Sequence, residues 1–259
     1  MARPTTRWRW PMLEPSRLVL DDLARDSARV VEEALRAAID RQGMASLVLS
    51  GGGTPLALYR LLSSPVYRSA VAWDKVHFFW GDERLVPPDD PGSNYLAARK
   101  ALLDPLSIPQ RNIHRIRGEL PPQEAAADYA ARLSAWAAEY DPGAPHAWPR
   151  FDLVLLGLGE DGHTASLFPG SPVEAAEPVL AVTADYQGRP AGRVTLTPLV
   201  FNDARQVVFL VSGLAKADAV LATFYADDPV RFPAQRIRPI AGRVTWLLDR
   251  AAAAALRAD

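Results

Sequence analysis

Apolar runs of strand length alternate with helix-length amphipathic segments along most of the 259-residue chain. Runs such as ASLVLS at residues 45–50 and QVVFLVS at residues 206–212 have the composition of buried strands. Between them lie segments whose apolar residues recur every three or four positions, which is typical of helices with one buried face. One such segment begins at Asp21–Asp22 and stops at Gly43; its stripe consists of Leu23, Val30, Val31, Ala34, Leu35, Ala38 and Ile39.

The whole pattern predicts an α/β protein. The predicted strands are residues 7–10, 45–50, 75–80, 112–116, the run that starts at 151, 178–184, 193–197, 206–212 and a final run within 236–249. Further helices are predicted at residues 56–62, 95–103, 123–140, 217–225 and 251–256, with a helical turn at 197–203. Fully apolar strands that alternate with such helices indicate a doubly wound, mostly parallel sheet with helices on both faces. Residues 141–149 have the composition of a surface loop, so we expect a single domain over residues 1–259.

Four segments with unusual composition follow predicted strands, and we predict that all four are loops. They are SGGGTP (50–55), GDER (81–84), GLGEDGHTAS (157–166) and SGLAK (212–216). Because ligands bind at the carboxyl ends of the strands in open α/β sheets, we expect these segments to meet at one site.

Composition narrows the class of ligand. The net charge is −1 and the sequence pI is about 6.4, so there is no basic excess for nucleic acid and an anion must be bound by a local arrangement. Cysteine is absent, no apolar segment resembles an export signal, and no apolar run is long enough to span a membrane. These features predict a soluble cytoplasmic protein without nucleic-acid or membrane partners.

The glycines of SGGGTP indicate an anion site. Gly52, Gly53 and Thr54 lie between a strand and a helix, where exposed amides and the helix N-terminus favour a phosphate or carboxylate. No Gly-Lys-Ser/Thr follows, so the segment is not a Walker A loop; the alternative is a flexible turn. Arg84 of GDER and Lys216 of SGLAK are candidate phosphate ligands, although a surface ion pair with Asp82 or Glu83 would also explain Arg84.

The turn that carries His163 matches G-x-G-x-x-G through Gly157, Gly159 and Gly162. Glu160 and Asp161 would repel a pyrophosphate, so we interpret the turn as a device that aims His163 instead of a dinucleotide site. Asp161 is the better candidate to orient the imidazole, and a helix-capping role is the alternative for His163. His77 is expected to be a core residue, and the histidines are too scattered for a metal site, so we predict no metal and no cofactor.

Taken together, SGGGTP, WGDERLVPPDDPGSNY, FDLVLLGLGEDGHTASLFPG and VFLVSGLAKADAV resemble the 6-phosphogluconolactonase family from about Trp8 to the C-terminal helix. The resemblance implies a fold like that of glucosamine-6-phosphate deaminase and hydrolysis of 6-phospho-D-glucono-1,5-lactone in the oxidative pentose phosphate pathway. It implies that His163 is the general base and that Asp161 orients it. By the same resemblance Gly52, Gly53, Thr54, Arg84 and Lys216 would hold the phosphate; Asn94, Ser166 and Arg193 would be further contacts.

Three alternatives remain open from the sequence. An aldose–ketose isomerase or deaminase could use the same fold, although Arg84 and the prolines after it favour the lactonase. A sugar-phosphate-sensing regulator would need a DNA-binding module upstream, and fewer than about twenty residues precede the first long helix. A catalytically inactive binding protein would not need His163. The expected partner is a small sugar-phosphate lactone, and the protein is expected to act as a monomer.

Overall fold

The computed structural model describes residues 15–143, 146–172 and 175–256. Its strands are β1 Ser16–Leu20, β2 Ala45–Leu49, β3 Val76–Trp80, β4 Asp82–Arg84, β5 Ile113–His114, β6 Leu153–Leu156, β7 Val179–Thr183, β8 Gly192–Leu196, β9 Gln206–Val211 and β10 Arg243–Asp249. Its α-helices are α1 Leu23–Gln42, α2 Gly53–Leu62, α3 Pro65–Arg68, α4 Asn94–Ala98, α5 Pro122–Tyr140, α6 Pro198–Phe201 and α7 Ala217–Tyr225. None of the helices within these ranges is both long and apolar enough to cross a membrane.

Seven strands form one sheet in the order β1-β10-β9-β6-β2-β3-β5, and every neighbouring pair in it is parallel. From β2 the chain winds outward to β3 and β5, then returns to the other side of β2 with β6 and winds outward again to β9 and β10. The switch point therefore lies between β2 and β6, where the loops after the two strands separate and leave a crevice. The predicted doubly wound sheet is confirmed.

A second sheet of three antiparallel strands, in the order β4-β8-β7, lies beside the first. The sequence prediction of a loop for GDER is wrong in this respect, because residues 82–84 pair with β8 in the register Asp82–Thr195, Glu83–Val194 and Arg84–Arg193. A three-residue strand has too little periodicity to be recognised from sequence. The consequence is that two arginines stand directly opposite each other.

Local sequence signals explain where the main helices begin and end. The Asp22 side chain accepts a hydrogen bond from the Arg25 amide at the start of α1, and Gly43 ends that helix with a φ of 82°. Ser93 caps α4 by accepting from the Leu96 amide. Pro122 begins α5, whose side chains Tyr129, Leu133 and Trp136 are buried.

The elements predicted at the two ends of the chain have different outcomes. Residues 251–256 form hydrogen-bonded turns instead of the predicted helix: the Ala254 amide donates to the Ala251 carbonyl and the Leu256 amide to the Ala253 carbonyl. The predicted strand at residues 7–10 lies outside the described residues. The single-domain organisation stays a prediction.

Two histidines pack together where β3, β5 and α5 meet. His77 Nδ1 lies 3.0 Å from His114 Nε2 and accepts from Trp136 Nε1 at 3.2 Å, and the two imidazoles are stacked. The pKa of His77 is lowered mainly by burial and also by the positive charge of Arg111. The pKa of His114 is lowered to about 4, mainly by burial and also by the charges of His77 and Arg132. His77 is buried, as predicted.

This pair predicts a loss of stability in mild acid. Both imidazoles have a lowered pKa in the folded protein, so the unfolded chain binds more protons between about pH 6.5 and pH 4, and the free energy of unfolding falls as the pH falls through that window. His114→Phe should retain the stacking on Phe79 and reduce this fall by about 1 kcal/mol, a figure discounted for partial exposure of the ring. Urea unfolding at pH 7 and pH 5 measures the difference. His146→Gln on the surface is the control, and an unchanged pH dependence in His114→Phe contradicts the assignment.

Candidate active site

A cavity of about 300 Å³ lies at the carboxyl ends of β2, β6 and β9. Its wall includes residues from all four segments singled out in the sequence: residues 50–55, Arg84, residues 157–160 with His163, and Lys216. The prediction that these segments converge is therefore confirmed. The lining carries four cationic side chains and two carboxylates, which are Arg84, Arg189, Arg193, Lys216, Asp82 and Glu160. A chain with net charge −1 thus presents a locally positive cavity.

The His163 imidazole is hydrogen-bonded to Asp161 at one side of this cavity. His163 Nδ1 lies 2.6 Å from Asp161 Oδ1, and the same oxygen accepts from the His163 amide at 3.1 Å. Burial favours a higher pKa for the Asp161 carboxyl, but the hydrogen bond and charge of His163 outweigh it, so that the pKa is lowered overall. Asp161 is thus held as a carboxylate that accepts from Nδ1–H, and Nε2 is the nitrogen available to a ligand.

Gly159 makes this contact possible. A Cβ atom at position 159 would lie 2.0 Å from His163 Nδ1 and 2.5 Å from Asp161 Oδ1. Both distances are too short for any residue that has a side chain at this position. The Gly159 amide donates to the His163 carbonyl at 2.7 Å, which closes the turn. The glycine therefore serves the geometry of the acid–imidazole pair, as the sequence interpretation of the turn expected.

The chain between β9 and β10 supports the far side of the turn. The Ala234 amide donates to the Gly162 carbonyl at 3.2 Å, and the Gly170 amide donates to the Val230 carbonyl at 3.0 Å. Arg236 is buried, and its guanidinium donates to the side chain and backbone oxygens of Ser171. This segment carries no motif that would have identified its role from sequence.

The SGGGTP segment joins β2 to α2 at the opposite wall. Gly52 has a φ of 106°, a value that favours glycine, and it precedes the first residue of α2, Gly53. The first amides of a helix have no intrahelical partners, and no side chain caps those of α2. Gly51 packs against Asn94, since a Cβ at position 51 would lie 2.0 Å from Asn94 Oδ1. The loop thus offers free donors at a helix N-terminus.

Arg84 and Arg193 face each other across β4 and β8 and both line the cavity. Arg84 donates to the Gly92 carbonyl at 2.6 Å, so the alternative of a surface ion pair with the buried Asp82 or Glu83 is not what the structure has. Among the described residues, Arg84 Nε and the Nε and one terminal nitrogen of Arg193 are buried without a hydrogen-bond partner. Burial lowers the pKa of Arg193. Buried donors without partners beside a like charge indicate a site that an anion would complete.

Lys216 reaches the cavity from the short 3₁₀ turn before α7, and its Nζ lies 3.7 Å from Glu160 Oε1. A positive charge near the start of a helix is unfavourable, and the Glu160 carboxylate offsets it here. The sequence alone had left the role of Glu160 open.

Asn94 lines the cavity and donates to the Asp82 carbonyl at 2.9 Å. Ser166 lies beneath the lining, where its hydroxyl donates to Asp82 Oδ2 at 2.6 Å. Direct contact of Ser166 with a ligand stays a prediction.

Sequence reasoning missed the contribution of the β7–β8 hairpin. Tyr186, Gln187 and Arg189 from its tip line the cavity. The only sequence signal was a Tyr, a Gly and an Arg in a polar turn between two candidate strands, which is common to many surface hairpins.

Within the described ranges no group of three or more His, Asp or Glu side chains is placed to hold a metal ion, and the metal-free mechanism stays a prediction.

Comparison with known proteins places the site in a family context. A family model described as glucosamine-6-phosphate isomerases/6-phosphogluconolactonase matches residues 19–246. The 6-phosphogluconolactonase of Synechocystis sp. (strain ATCC 27184 / PCC 6803 / Kazusa) is 43% identical over 222 residues, which cover 85% of this chain and 88% of the relative. The solved 6-phosphogluconolactonase from Trypanosoma cruzi has a TM-score of 0.80 and 32% identity, and the match covers 95% of this chain and 98% of that one.

A monomeric glucosamine-6-phosphate deaminase has a similar structure, with a TM-score of 0.78 and 21% identity over 94% of this chain and 100% of that one. Identity at that level shows the fold alone. The predicted fold class is confirmed, and the fold does not by itself distinguish a lactonase from a deaminase.

Gly159→Ala tests the geometry of the acid–imidazole pair. We expect the added methyl group to break the contact between Asp161 and His163 while the fold is retained, because the clash involves two side chains at the cavity and no core residue. The low-field imidazole N–H proton of His163 in the NMR spectrum should disappear. Gly143→Ala is the control, since a Cβ there has nothing within 4 Å. Persistence of the low-field proton in Gly159→Ala would show that the contact does not depend on the glycine.

Proposed function

The chain belongs to the glucosamine-6-phosphate isomerase/6-phosphogluconolactonase family, and on that premise we propose that it hydrolyses 6-phospho-D-glucono-1,5-lactone to 6-phospho-D-gluconate with water activated by His163. The reaction is the second step of the oxidative pentose phosphate pathway. One observation carries the proposal. The Asp161–His163 pair opens on a cavity that also contains buried guanidinium donors without partners, so a base and an anion site share one small space.

The anion site supports a phosphorylated substrate. Arg84, Arg193 and Lys216 provide cations, and the first amides of α2 provide neutral donors at the positive end of the helix dipole. A phosphate dianion would satisfy the unpartnered arginine nitrogens and relieve the repulsion between the two guanidinium groups. The cavity of about 300 Å³ is at the lower end of the range for small-molecule sites, which suits a single sugar phosphate.

In the proposed mechanism, His163 Nε2 takes a proton from water as the water oxygen attacks the lactone carbonyl carbon. The tetrahedral intermediate then collapses with cleavage of the bond between that carbon and the ring oxygen. The imidazolium returns the proton to the departing ring oxygen, which becomes a hydroxyl group. The Asp161 carboxylate stabilises the imidazolium in between.

This chemistry requires modest catalysis. A positioned general base contributes about 10²–10⁴-fold to the rate. No covalent intermediate is needed, and no group other than the substrate, water and these side chains takes part in a step. We extend the proposal to a cytoplasmic enzyme that acts as a monomer on a free sugar-phosphate lactone, without a cofactor or a metal ion, and without nucleic-acid or membrane partners.

The primary test is lactone hydrolysis measured above the spontaneous rate, in the presence and absence of a chelator. We expect activity that the chelator does not change. His163→Ala should lower kcat by about 10²–10⁴-fold, because the loss removes the base while the phosphate contacts remain. Binding of 6-phosphogluconate to His163→Ala, measured by calorimetry, should be largely retained.

The results that would overturn the proposal are specific. Turnover by His163→Ala at the rate of the unsubstituted protein would rule out the general-base role, and chelator-sensitive activity would rule out the metal-free mechanism. Release of ammonia from glucosamine 6-phosphate, with no effect on lactone decay, would assign the protein to the deaminase branch of the fold.

Lys216→Ala separates phosphate binding from catalysis. The phosphate is bound in both the ground state and the transition state. Loss of the Lys216 ammonium group should therefore raise KM for the phosphorylated lactone by about tenfold or more and change kcat little. Hydrolysis of unphosphorylated glucono-1,5-lactone should be unaffected. Lys75→Ala, an exposed lysine away from the cavity, is the matched control. A fall in kcat with unchanged KM would place Lys216 in the chemical step instead.

A further inference from the structure

The His163 imidazole lies in a corner formed by two aromatic rings. The Phe168 ring is stacked on it with centroids 4.5 Å apart and an interplanar angle of 30°, and the Tyr186 ring meets it edge to face at 4.6 Å and 79°. The two aromatic rings also contact each other at 5.8 Å. Only 14% of the His163 side chain is exposed. The imidazole is therefore confined on two sides, in addition to its bond to Asp161.

Tyr186 is held in place by the backbone of its own hairpin. The Arg189 amide donates to the Tyr186 carbonyl at 3.2 Å, which closes the tight turn at the tip of the β7–β8 hairpin. The hairpin is part of the small antiparallel sheet, so Tyr186 joins that sheet to a turn of the large parallel sheet.

The hydrogen bond to Asp161 fixes one ring nitrogen and leaves the imidazole free to swing about that contact. Phe168 follows His163 in the same segment and covers one face of the ring, and its position depends on the fold of that segment. Tyr186 comes from a separate hairpin and meets the imidazole edge to face, at a steep angle to the Phe168 ring. Two rings at a steep angle to one another, here 51°, restrict a third ring more than either could alone.

We propose that Tyr186 is a positioning residue, whose ring holds the His163 imidazole in the orientation that presents Nε2 to the cavity. This inference rests on the proposed function of His163 as the base. The ring of Tyr186 does the positioning, and the turn that the Arg189 amide closes holds this ring in place. A displacement of about 1 Å at a reacting group can lower a rate by about 10²-fold, so a loose imidazole would be a poor base even with Asp161 in place.

Three variants separate positioning from other roles. Tyr186→Ala removes the ring, Tyr186→Phe keeps the ring and removes the hydroxyl, and Asp185→Asn changes an exposed neighbour on the hairpin that does not line the cavity. We expect Tyr186→Ala to lower kcat for 6-phosphogluconolactone by roughly 10–100-fold with KM within about threefold, because the phosphate contacts are intact. Tyr186→Phe should recover most of kcat, and Asp185→Asn should match the unsubstituted protein.

A readout independent of activity accompanies the kinetics. The ring ¹⁵N and ¹H resonances of His163, assigned by comparison with His163→Gln, should broaden or shift in Tyr186→Ala and stay in place in Tyr186→Phe. A thermal unfolding midpoint of Tyr186→Ala close to that of the unsubstituted protein would confirm that the fold is intact.

Several outcomes would overturn the inference. Equal losses of kcat in Tyr186→Ala and Tyr186→Phe would show that the hydroxyl group and not the ring matters. A rise in KM with unchanged kcat would make Tyr186 a wall of the substrate site. If the unsubstituted protein does not hydrolyse the lactone, the proposed function fails by itself; the His163 resonances then still decide, and unchanged resonances in Tyr186→Ala would reject the positioning role.

Discussion

The reversal of winding direction between β2 and β6 is the constraint on which the site depends. Because consecutive crossovers leave these two adjacent strands in opposite directions along the sheet, the loops that follow them separate and open a crevice. The free amides of α2 enter the crevice from one loop and His163 enters from the other. An anion site and a base are thus placed on facing walls by topology, before any individual side-chain contact is considered.

Much of the fold could be predicted from sequence, because buried parallel strands are short, fully apolar runs and the helices between them carry one apolar face. The error at GDER has a physical origin. Asp82–Arg84 is a strand only because β8, over a hundred residues later in the chain, pairs with it, and no local pattern encodes that partner. High helix propensity likewise predicts a helix at the terminal alanines, but these residues form only hydrogen-bonded turns.

The residues of the candidate site also differ in whether the sequence alone could identify them. His163, Asp161 and the glycine loop lie in segments whose composition is unusual by itself, so sequence identified them. Arg193 and Tyr186 belong to an ordinary strand and an ordinary hairpin, and they matter because of the residues beside them in space. Nothing in the local sequence singles out either residue: the family resemblance alone indicates Arg193, and sequence reasoning missed Tyr186.

The opposed guanidinium groups of Arg84 and Arg193 make the stability of the folded protein depend on a bound anion. Without an anion, two like charges lie close together and several of their buried nitrogens have no partner, which costs stability. Any anion that completes the site binds only the folded chain and adds stability in proportion to the logarithm of its concentration above the dissociation constant. The resistance of the chain to heat and proteolysis should therefore rise with the concentration of that anion.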